Sequence, residues 1–217
     1  MSAKTVSVKE NILAANTKTA DANRKLLASH NVLMINVMSS PGSGKTSLIL
    51  QTINRMGHKH RIAVIEGDVA SSIDTDKISR QNIPAVQINT GGGCHLDARM
   101  IKNALDTLDL DSIDLIFIEN VGNLVCTADF DLGAHKNAVI LSIPEGDDKP
   151  YKYPVMFLEA DVVLVNKTDV LPHFDFNLDD FPGIIRGLNP SADIFPVSAK
   201  TGEGMDSWFS WIEETLM

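Results

Sequence analysis

Residues 39–46 read Ser-Ser-Pro-Gly-Ser-Gly-Lys-Thr and directly follow an apolar run at residues 32–38. The octapeptide ends in Gly44-Lys45-Thr46, as the phosphate-loop pattern requires, whereas Ser39 occupies the position of that pattern's first glycine. Residues 45–55 then have helical spacing. A strand, a glycine-containing loop and a helix in this order predict a loop that binds nucleotide phosphates.

The residues of this loop suit phosphate chemistry. Gly42 and Gly44 let the backbone wrap closely, so that successive N–H groups point at phosphate oxygens, and the following helix adds its positive end. We expect Lys45 to reach the β and γ phosphates and the hydroxyl of Thr46 to ligate Mg²⁺. The alternative is a simple Gly-Ser turn. The candidate nucleotide-binding residues here are Gly42, Ser43, Gly44, Lys45, Thr46 and Ser47.

Short apolar runs rich in β-branched residues alternate with segments of helical spacing along the chain. The predicted strands are residues 32–38, 62–66, 86–89, 115–119, 138–143, 162–166 and 194–197. The predicted helices are residues 45–55, 71–81, 95–109, 153–159, 179–188 and 204–216. This alternation indicates an α/β fold with a mostly parallel seven-stranded sheet flanked by helices, which binds ligands at the carboxyl ends of its strands.

Size and charge limit the classes of function. The 217 residues fit one α/β domain at 31–217, preceded by an N-terminal helical arm at 1–30 with an amphipathic pattern at 8–29. A net charge of −9 argues against nucleic acid and anionic membranes as partners, and no apolar run approaches the ~20 residues of a membrane span. With two cysteines and no export signal, we expect a cytoplasmic protein.

Two later loops are typical of a base-binding site. The strand predicted at 162–166 ends in Asn166, followed by Lys167 and Asp169. A carboxylate at Asp169 can accept two hydrogen bonds from guanine, whereas adenine has no matching pair of donors. Lys167 can lie along the base, and Asn166 can tie the loops together. After the last predicted strand, the loop Ser198-Ala199-Lys200 offers backbone N–H groups to the guanine oxygen.

Acidic residues follow two strands at the same edge of the predicted sheet. Glu119 ends the strand at 115–119, where water-mediated Mg²⁺ ligation is expected, and Gly122 can offer an N–H to the γ-phosphate. Asp68 can hold Mg²⁺ waters or position the attacking water, although an isolated Asp is also typical of a helix cap. With Lys45, these residues are the candidate catalytic groups, and Thr46, Asp68 and Glu119 are the candidate Mg²⁺ site.

The two cysteines of the chain predict a second metal site. Cys94 and His95 follow three glycines after one strand, where we expect the next helix to begin and to lower the thiol pKa, and Cys126 follows another strand. Thiolate and imidazole suit Zn²⁺ or Ni²⁺. Three donors are one short of a tetrahedral shell, and two chains related by a two-fold axis can complete the shell or hold two ions. The alternative is that both cysteines are small buried apolar residues.

Several of these strings resemble one family. They are residues 38–46, 66–69, 92–98, 119–124 and 166–169, of which Gly-Gly-Cys-His-Leu-Asp-Ala at 92–98 is the most specific. The chain is similar, from about residue 10 to its end, to the HypB nickel-incorporation GTPases of hydrogenase maturation.

The resemblance implies a P-loop NTPase fold of the signal-recognition-particle-like (SIMIBI) class that forms a homodimer when GTP binds. It implies an interface site for Ni²⁺ or Zn²⁺ at Cys94, His95 and Cys126, and Mg²⁺-linked positions at Asp68 and Glu119. Lys149 corresponds to a residue near the nucleotide across the interface. The implied partners are a HypA-like nickel metallochaperone and the hydrogenase large subunit.

Three other functions compete with a GTP hydrolase for hydrogenase maturation. A urease-type nickel-delivery GTPase is closely related, although the adjacent Cys94-His95 pair fits the hydrogenase branch better. A small-molecule phosphotransferase would use the same phosphate loop, but would have no use for Asn166, Lys167 and Asp169. A metal-carrier protein could use GTP only as an assembly signal.

Overall fold

The computed structural model describes residues 8–68 and 83–217, with side chains from residue 13 onward. The strands are β1 Leu33–Ser39, β2 Ile62–Asp68, β3 Ala85–Asn89, β4 Leu115–Glu119, β5 Lys136–Ser142, β6 Val162–Asn166 and β7 Asp193–Pro196. The helices in these ranges are α1 Val8–Ser29, α2 Lys45–Met56, α3 Ala98–Leu105, α4 Cys126–Asp129, α5 Lys149–Lys152, α6 Pro154–Leu158, α7 Phe181–Leu188 and α8 Met205–Leu216. Short 3-10 turns lie at Leu110–Ser112, Ile143–Glu145 and Thr168–His173.

The seven strands form one sheet in the order β3-β2-β4-β1-β5-β6-β7. Every neighbouring pair is parallel, so the mostly parallel sheet of the sequence prediction is wholly parallel. The inner strands are apolar on both faces because helices cover both, whereas the edge strand β7 is partly exposed. Parallel pairing brings all seven carboxyl ends, and the loops that follow them, to one edge of the sheet.

Two helical layers bury the sheet. On one face, α2 and α8 pack against alternate residues of the strands, and the buried Trp208 donates its indole N–H to the hydroxyl of Thr52 at 2.9 Å. Since Trp208 is fully buried and its N–H is satisfied, Trp208→Ala would cost about 3–5 kcal/mol of stability. The opposite face carries two apolar clusters, one under α1 and α3 and one under α6 and α7.

A row of asparagines lies between these two clusters. The Asn120 amide donates to Asn36 Oδ1 at 3.1 Å, and the Asn36 amide donates to Asn137 Oδ1 at 3.0 Å. Asn36 and Asn120 are almost fully buried, so their hydrogen bonds offset the cost of removing amides from water. The row holds the residue that follows β4 against the centre of the sheet.

Helix α1 packs onto the domain through polar and apolar contacts. Leu27 is fully buried, and the Asn23 amide donates to the carbonyls of Ala98 at 2.8 Å and Leu132 at 3.1 Å. These contacts fix α1 beside the first turn of α3. The division of the chain into residues 1–30 and 31–217 stays a prediction.

Most predicted elements are present, with shifted ends. The helix predicted at 95–109 is shorter, Ala98–Leu105, because the Asp97 carboxylate accepts the N–H of Met100 at 2.7 Å and caps its start. The helix predicted at 153–159 is α6, and α5 precedes it as a separate turn that ends before Pro154. The helix predicted at 71–81 lies outside the described residues. Within the described ranges, no helix has the length and apolarity needed to cross a bilayer.

Candidate nucleotide and metal sites

The phosphate loop connects β1 to α2 and depends on left-handed backbone at two glycines. Gly42 has φ 78° and Gly44 has φ 105°, which L side chains rarely adopt. The buried Lys45 points its ammonium back across the loop and donates to the hydroxyl of Ser39 at 3.2 Å. Ser39, which replaces the first glycine of the pattern, thus supplies a hydroxyl that orients Lys45.

Asn166 at the end of β6 joins the phosphate loop to the base-binding loops. Its amide donates to the carbonyl of Ser43 at 2.8 Å, and its Oδ1 accepts the N–H of Ala199 at 3.0 Å. A Cβ on Gly44 would lie 2.4 Å from the Asn166 amide nitrogen, so only glycine fits there. The tie expected of Asn166 is present in the structure.

A cavity of about 440 Å³ opens at the phosphate loop, at the carboxyl ends of β1, β2 and β4. The predicted site residues that line it are Gly42, Gly44, Lys45, Thr46, Ser47, Asp68, Glu119 and Gly122. Within it the hydroxyl of Thr46 donates to Glu119 Oε1 at 2.7 Å. Hydroxyl and carboxylate oxygens are the ligands that Mg²⁺ prefers, so this donor set fits Mg²⁺.

A smaller cavity of about 190 Å³ lies next to the first and shares Gly44 and Ser47 with it. It is lined by Asn166, Lys167, Asp169, Val170, Ala199 and Lys200. Lys167 has φ 66° and donates its ammonium to the carbonyl of Gly42 at 2.7 Å. The buried Ser198 donates to Asp169 Oδ1 at 2.6 Å, which fixes the carboxylate at the mouth of this cavity.

Cys94, His95 and Cys126 come together although they belong to two different loops. Their ligand atoms all lie within 4.8 Å of one another, and Cys94 Sγ is 3.6 Å from His95 Nδ1. The His95 ring stacks on Phe130 with centroids 3.9 Å apart, which sets the plane of the imidazole. Cys94 is exposed and Cys126 is half-buried, so neither is a buried core residue.

The prediction that Cys94 lies at the start of a helix is wrong. Cys94 does not begin a helix, because α3 starts four residues later at Ala98, so the helix end cannot act on the thiol. The pKa of Cys126 is raised, first by its hydrogen bond with Cys94, then by burial, and then by its electrostatic interactions with Cys94 and Asp129.

Lys149 begins α5 and lies outside the two cavities. It lines a third cavity of about 410 Å³ on the outer side of the phosphate loop, which shares Pro41 and Gly122 with the nucleotide cavity. Its role across a dimer interface stays a prediction.

Glu145 and Asn123 were missed by the sequence analysis. The carboxylate of Glu145 accepts hydrogen bonds from the hydroxyls of Ser40 and of Ser43, the latter at 2.7 Å, and so braces the phosphate loop from the side. Asn123 lies between Gly122 and Cys126 and hydrogen-bonds both the phosphate loop and the Cys126 backbone. The contacts of both residues with the phosphate loop join distant parts of the chain, so the sequence pattern does not indicate them.

Comparison with known proteins identifies the family of the chain. Residues 33–196 match the family described as the CobW/HypB/UreG nucleotide-binding domain. The hydrogenase maturation factor HypB of Azotobacter vinelandii is 50% identical over 206 residues, which cover 95% of this chain and 68% of that protein.

Solved structures show the same fold. The crystal structure of HypB from Helicobacter pylori in complex with nickel superposes with a TM-score of 0.88 at 37% identity, covering 93% of this chain and 95% of that one. FlhF complexed with GTP and Mg²⁺ has a TM-score of 0.58 at 14% identity, covers 82% of this chain and 75% of that one, and shares the fold alone. The predicted SIMIBI-type P-loop fold is confirmed, and so is the predicted family. The chain belongs to the HypB family of hydrogenase maturation factors.

Proposed function

We propose that this protein hydrolyses GTP with the help of Mg²⁺ and couples hydrolysis to the insertion of nickel into a [NiFe]-hydrogenase precursor. The observation that carries the proposal is the convergence of Cys94, His95 and Cys126 at the sheet edge that also holds the phosphate loop. The family supports it, since relatives are named hydrogenase maturation factors and one was solved with nickel. Nickel is here the cargo of the protein.

The phosphate loop binds and orients the triphosphate in this proposal. Its backbone N–H groups and the start of the twelve-residue helix α2 favour negative charge. The Lys45 ammonium, now on the hydroxyl of Ser39, turns to the β and γ phosphate oxygens. Gly122 offers its N–H to the γ-phosphate.

Thr46, Asp68 and Glu119 are the residues that would hold Mg²⁺, directly or through water, and bound Mg²⁺ neutralises the charge on the transferring phosphoryl group. Asp68 positions the attacking water. Among the described residues that line the nucleotide cavity none is an arginine, so we expect slow hydrolysis in the isolated chain and faster hydrolysis in a dimer or with a partner protein.

The second cavity selects guanine. The Asp169 carboxylate, held by the Ser198 hydroxyl, accepts the N1–H and amine of the base. Adenine has no matching pair of donors, so this carboxylate would lose both hydrogen bonds to the base and would still be desolvated. Lys167 covers one side of the base, and the N–H groups of the loop at 198–200 meet the guanine oxygen.

Among the described residues of one chain, the metal cluster has three donors. Two thiolates and one imidazole suit Ni²⁺ or Zn²⁺, but a tetrahedral site needs a fourth donor. A second copy related by a two-fold axis supplies it, and a GTP-bound homodimer brings the copies together with Lys149 near the partner's nucleotide. The proposed partners in nickel transfer, which we place in the cytoplasm, are a HypA-like metallochaperone and the hydrogenase large subunit.

The coupling is tested by measuring nickel affinity with GDP and with a non-hydrolysable GTP analogue. We expect the two affinities to differ by about 5- to 150-fold, the usual range of coupling between two sites. Cys126→Ser is the matched control, because it removes one soft donor without changing the nucleotide cavity, and it should reduce the difference. Equal nickel affinities in the two nucleotide states of the parent protein would contradict the proposal.

A further inference from the structure

We propose that Asn123 is the positioning residue that transmits the nucleotide state of the phosphate loop to the metal ligand Cys126. The inference rests on the proposed function, since it assigns a residue to the coupling between GTP and nickel. Asn123 lies in the loop after β4, one residue after Gly122 and three before Cys126.

Asn123 is bonded to the phosphate loop through its backbone. Its N–H donates to the carbonyl of Ser39 at 2.9 Å. Ser39 is fully buried, and its hydroxyl accepts from the ammonium of Lys45. A triphosphate competes for that ammonium, so occupancy of the nucleotide site changes the hydrogen bonding of the residue to which Asn123 is attached.

The residue before Asn123 packs against the same loop. A Cβ on Gly122 would lie 2.9 Å from Pro41 Cα, so the two backbones touch. Two consecutive residues, Gly122 and Asn123, therefore contact the phosphate loop, and a shift of that loop is passed to both of them.

The side chain of Asn123 holds the backbone of Cys126. Its Oδ1 accepts the N–H of Val125 at 2.7 Å and the N–H of Cys126 at 2.9 Å. Its carbonyl accepts the hydroxyl of Thr127 at 2.5 Å. The short helix α4, which begins at Cys126, is thus fastened to Asn123 at three points.

Small movements of this attachment matter at the metal. A metal site requires ligand distances within about 0.2 Å of their preferred values. Cys126 shares the cluster with Cys94 and His95, which stand on another loop, so a movement of Asn123 displaces one thiolate relative to the other two donors. This makes Asn123 the connection between nucleotide exchange and metal affinity.

The other metal-bearing loop contains a similar turn that serves as a matched control. Asn89 Oδ1 accepts the N–H of Gly91 at 2.9 Å, and Gly91 lies three residues before Cys94. The same substitution at Asn89 removes a turn of the same type without touching the bond from Asn123 to Ser39.

The experiment measures the nickel dissociation constant of the full chain with GDP and with a non-hydrolysable GTP analogue, together with the thiolate-to-nickel absorption band. In the parent protein, the nickel dissociation constants in the two nucleotide states should differ by about 5- to 150-fold. In Asn123→Ala the two constants should differ by less than about twofold. Asn123→Asp should keep the parent ratio, because only the acceptor oxygen is used. Asn89→Ala should change both dissociation constants by the same factor.

Each result is decisive. If the parent protein binds nickel equally well in both nucleotide states, the proposed function itself fails. If the two nickel affinities differ in the parent protein and differ by as much in Asn123→Ala, only the role of Asn123 is overturned. If Asn123→Ala does not fold, Thr127→Val replaces it, since that variant keeps the side-chain shape and removes one of the three attachments. A parent-like ratio in Thr127→Val with a folded chain would then count against the inference, and a reduced ratio would support it.

Discussion

The nucleotide site and the metal cluster lie at the same edge of the sheet and are built in different ways. The nucleotide residues Lys45, Asn166 and Ser198 are buried, and strand ends and long-range hydrogen bonds hold them in place. The metal ligands stand on two loops, and Cys94 is exposed. Buried contacts hold the residues of one region in place, whereas the geometry of the other depends on the relative positions of two loops. This difference fits the proposal that nucleotide controls metal affinity through loop position.

The variant Lys45→Ala tests the contrast between the nucleotide site and the metal cluster most strongly. Loss of a preorganised cation at developing charge should lower the rate of single-turnover GTP hydrolysis by about 10²- to 10³-fold. Nickel should still bind without nucleotide, because the variant keeps all three donors of the cluster. Lys59→Ala is the control, since Lys59 pairs with Glu213 outside the nucleotide cavity. A parent no faster than Lys45→Ala would remove the hydrolase and leave a metal carrier that uses GTP as an assembly signal.

The second test concerns base selection. Asp169→Asn removes a charged acceptor, and hydrogen bonds to charged groups contribute about 1.5–3 kcal/mol, so GTP affinity should fall by roughly 10- to 150-fold. Affinity for xanthosine triphosphate should rise, because its extra carbonyl accepts from the new amide. Nucleotide titration of the variant beside the exposed Asp175→Asn checks this. If GTP binding were unchanged, the assignment of the second cavity to guanine would be wrong.

The third test removes one soft donor. Cys94→Ala should weaken nickel binding by at least about 10- to 100-fold, the loss that changes outside the ligand set already cause. GDP affinity should not change, since Cys94 does not line the nucleotide cavity. Metal analysis and mass measurement with GDP and with a GTP analogue check both points.

The same measurements address the dimer. With the GTP analogue, the parent should show twice the mass of one chain and carry metal, whereas Cys94→Ala should lose the metal. A variant that keeps the parent's metal content would place the nickel site elsewhere.

The sequence predicted the fold well because strands buried on both faces are read directly from apolar runs. Strand β4 (Leu115–Glu119) and strand β6 (Val162–Asn166) have the predicted limits. The start of a helix was missed where a side chain caps it. The Asp97 carboxylate accepts the N–H of Met100 and starts the helix at Ala98, although the helical spacing of the sequence begins at residue 95.

The candidate sites divide in the same way. Residues with motif chemistry, such as Lys45 and Asp169, were predicted from spacing alone, and they line the two cavities. Glu145 could not, because its partners Ser40 and Ser43 are more than a hundred residues away and are brought to it only by the pairing of β1 with β5.

The smallest expected effect is a pH dependence confined to the metal cluster. The pKa of Cys126 is raised above the ordinary thiol value of 9.0, chiefly by its hydrogen bond with Cys94 and then by burial and negative charge. A raised pKa keeps the proton on sulfur to higher pH, so protons compete with nickel through and above the usual thiol range. Nickel affinity should therefore rise with pH, by up to about tenfold per pH unit for each proton released.

Asp129→Asn sharpens this last prediction, because it removes one of the negative charges that raise the Cys126 pKa. The rise in nickel affinity should then begin at lower pH, while Cys126→Ser should flatten it. Nickel titrations across the pH range, with GDP titrations in parallel, separate the two regions of the molecule. A metal affinity that is flat with pH in the parent would mean that Cys126 does not bind nickel as a newly formed thiolate, and the contrast between a fixed nucleotide site and an adjustable metal site would lose its chemical basis.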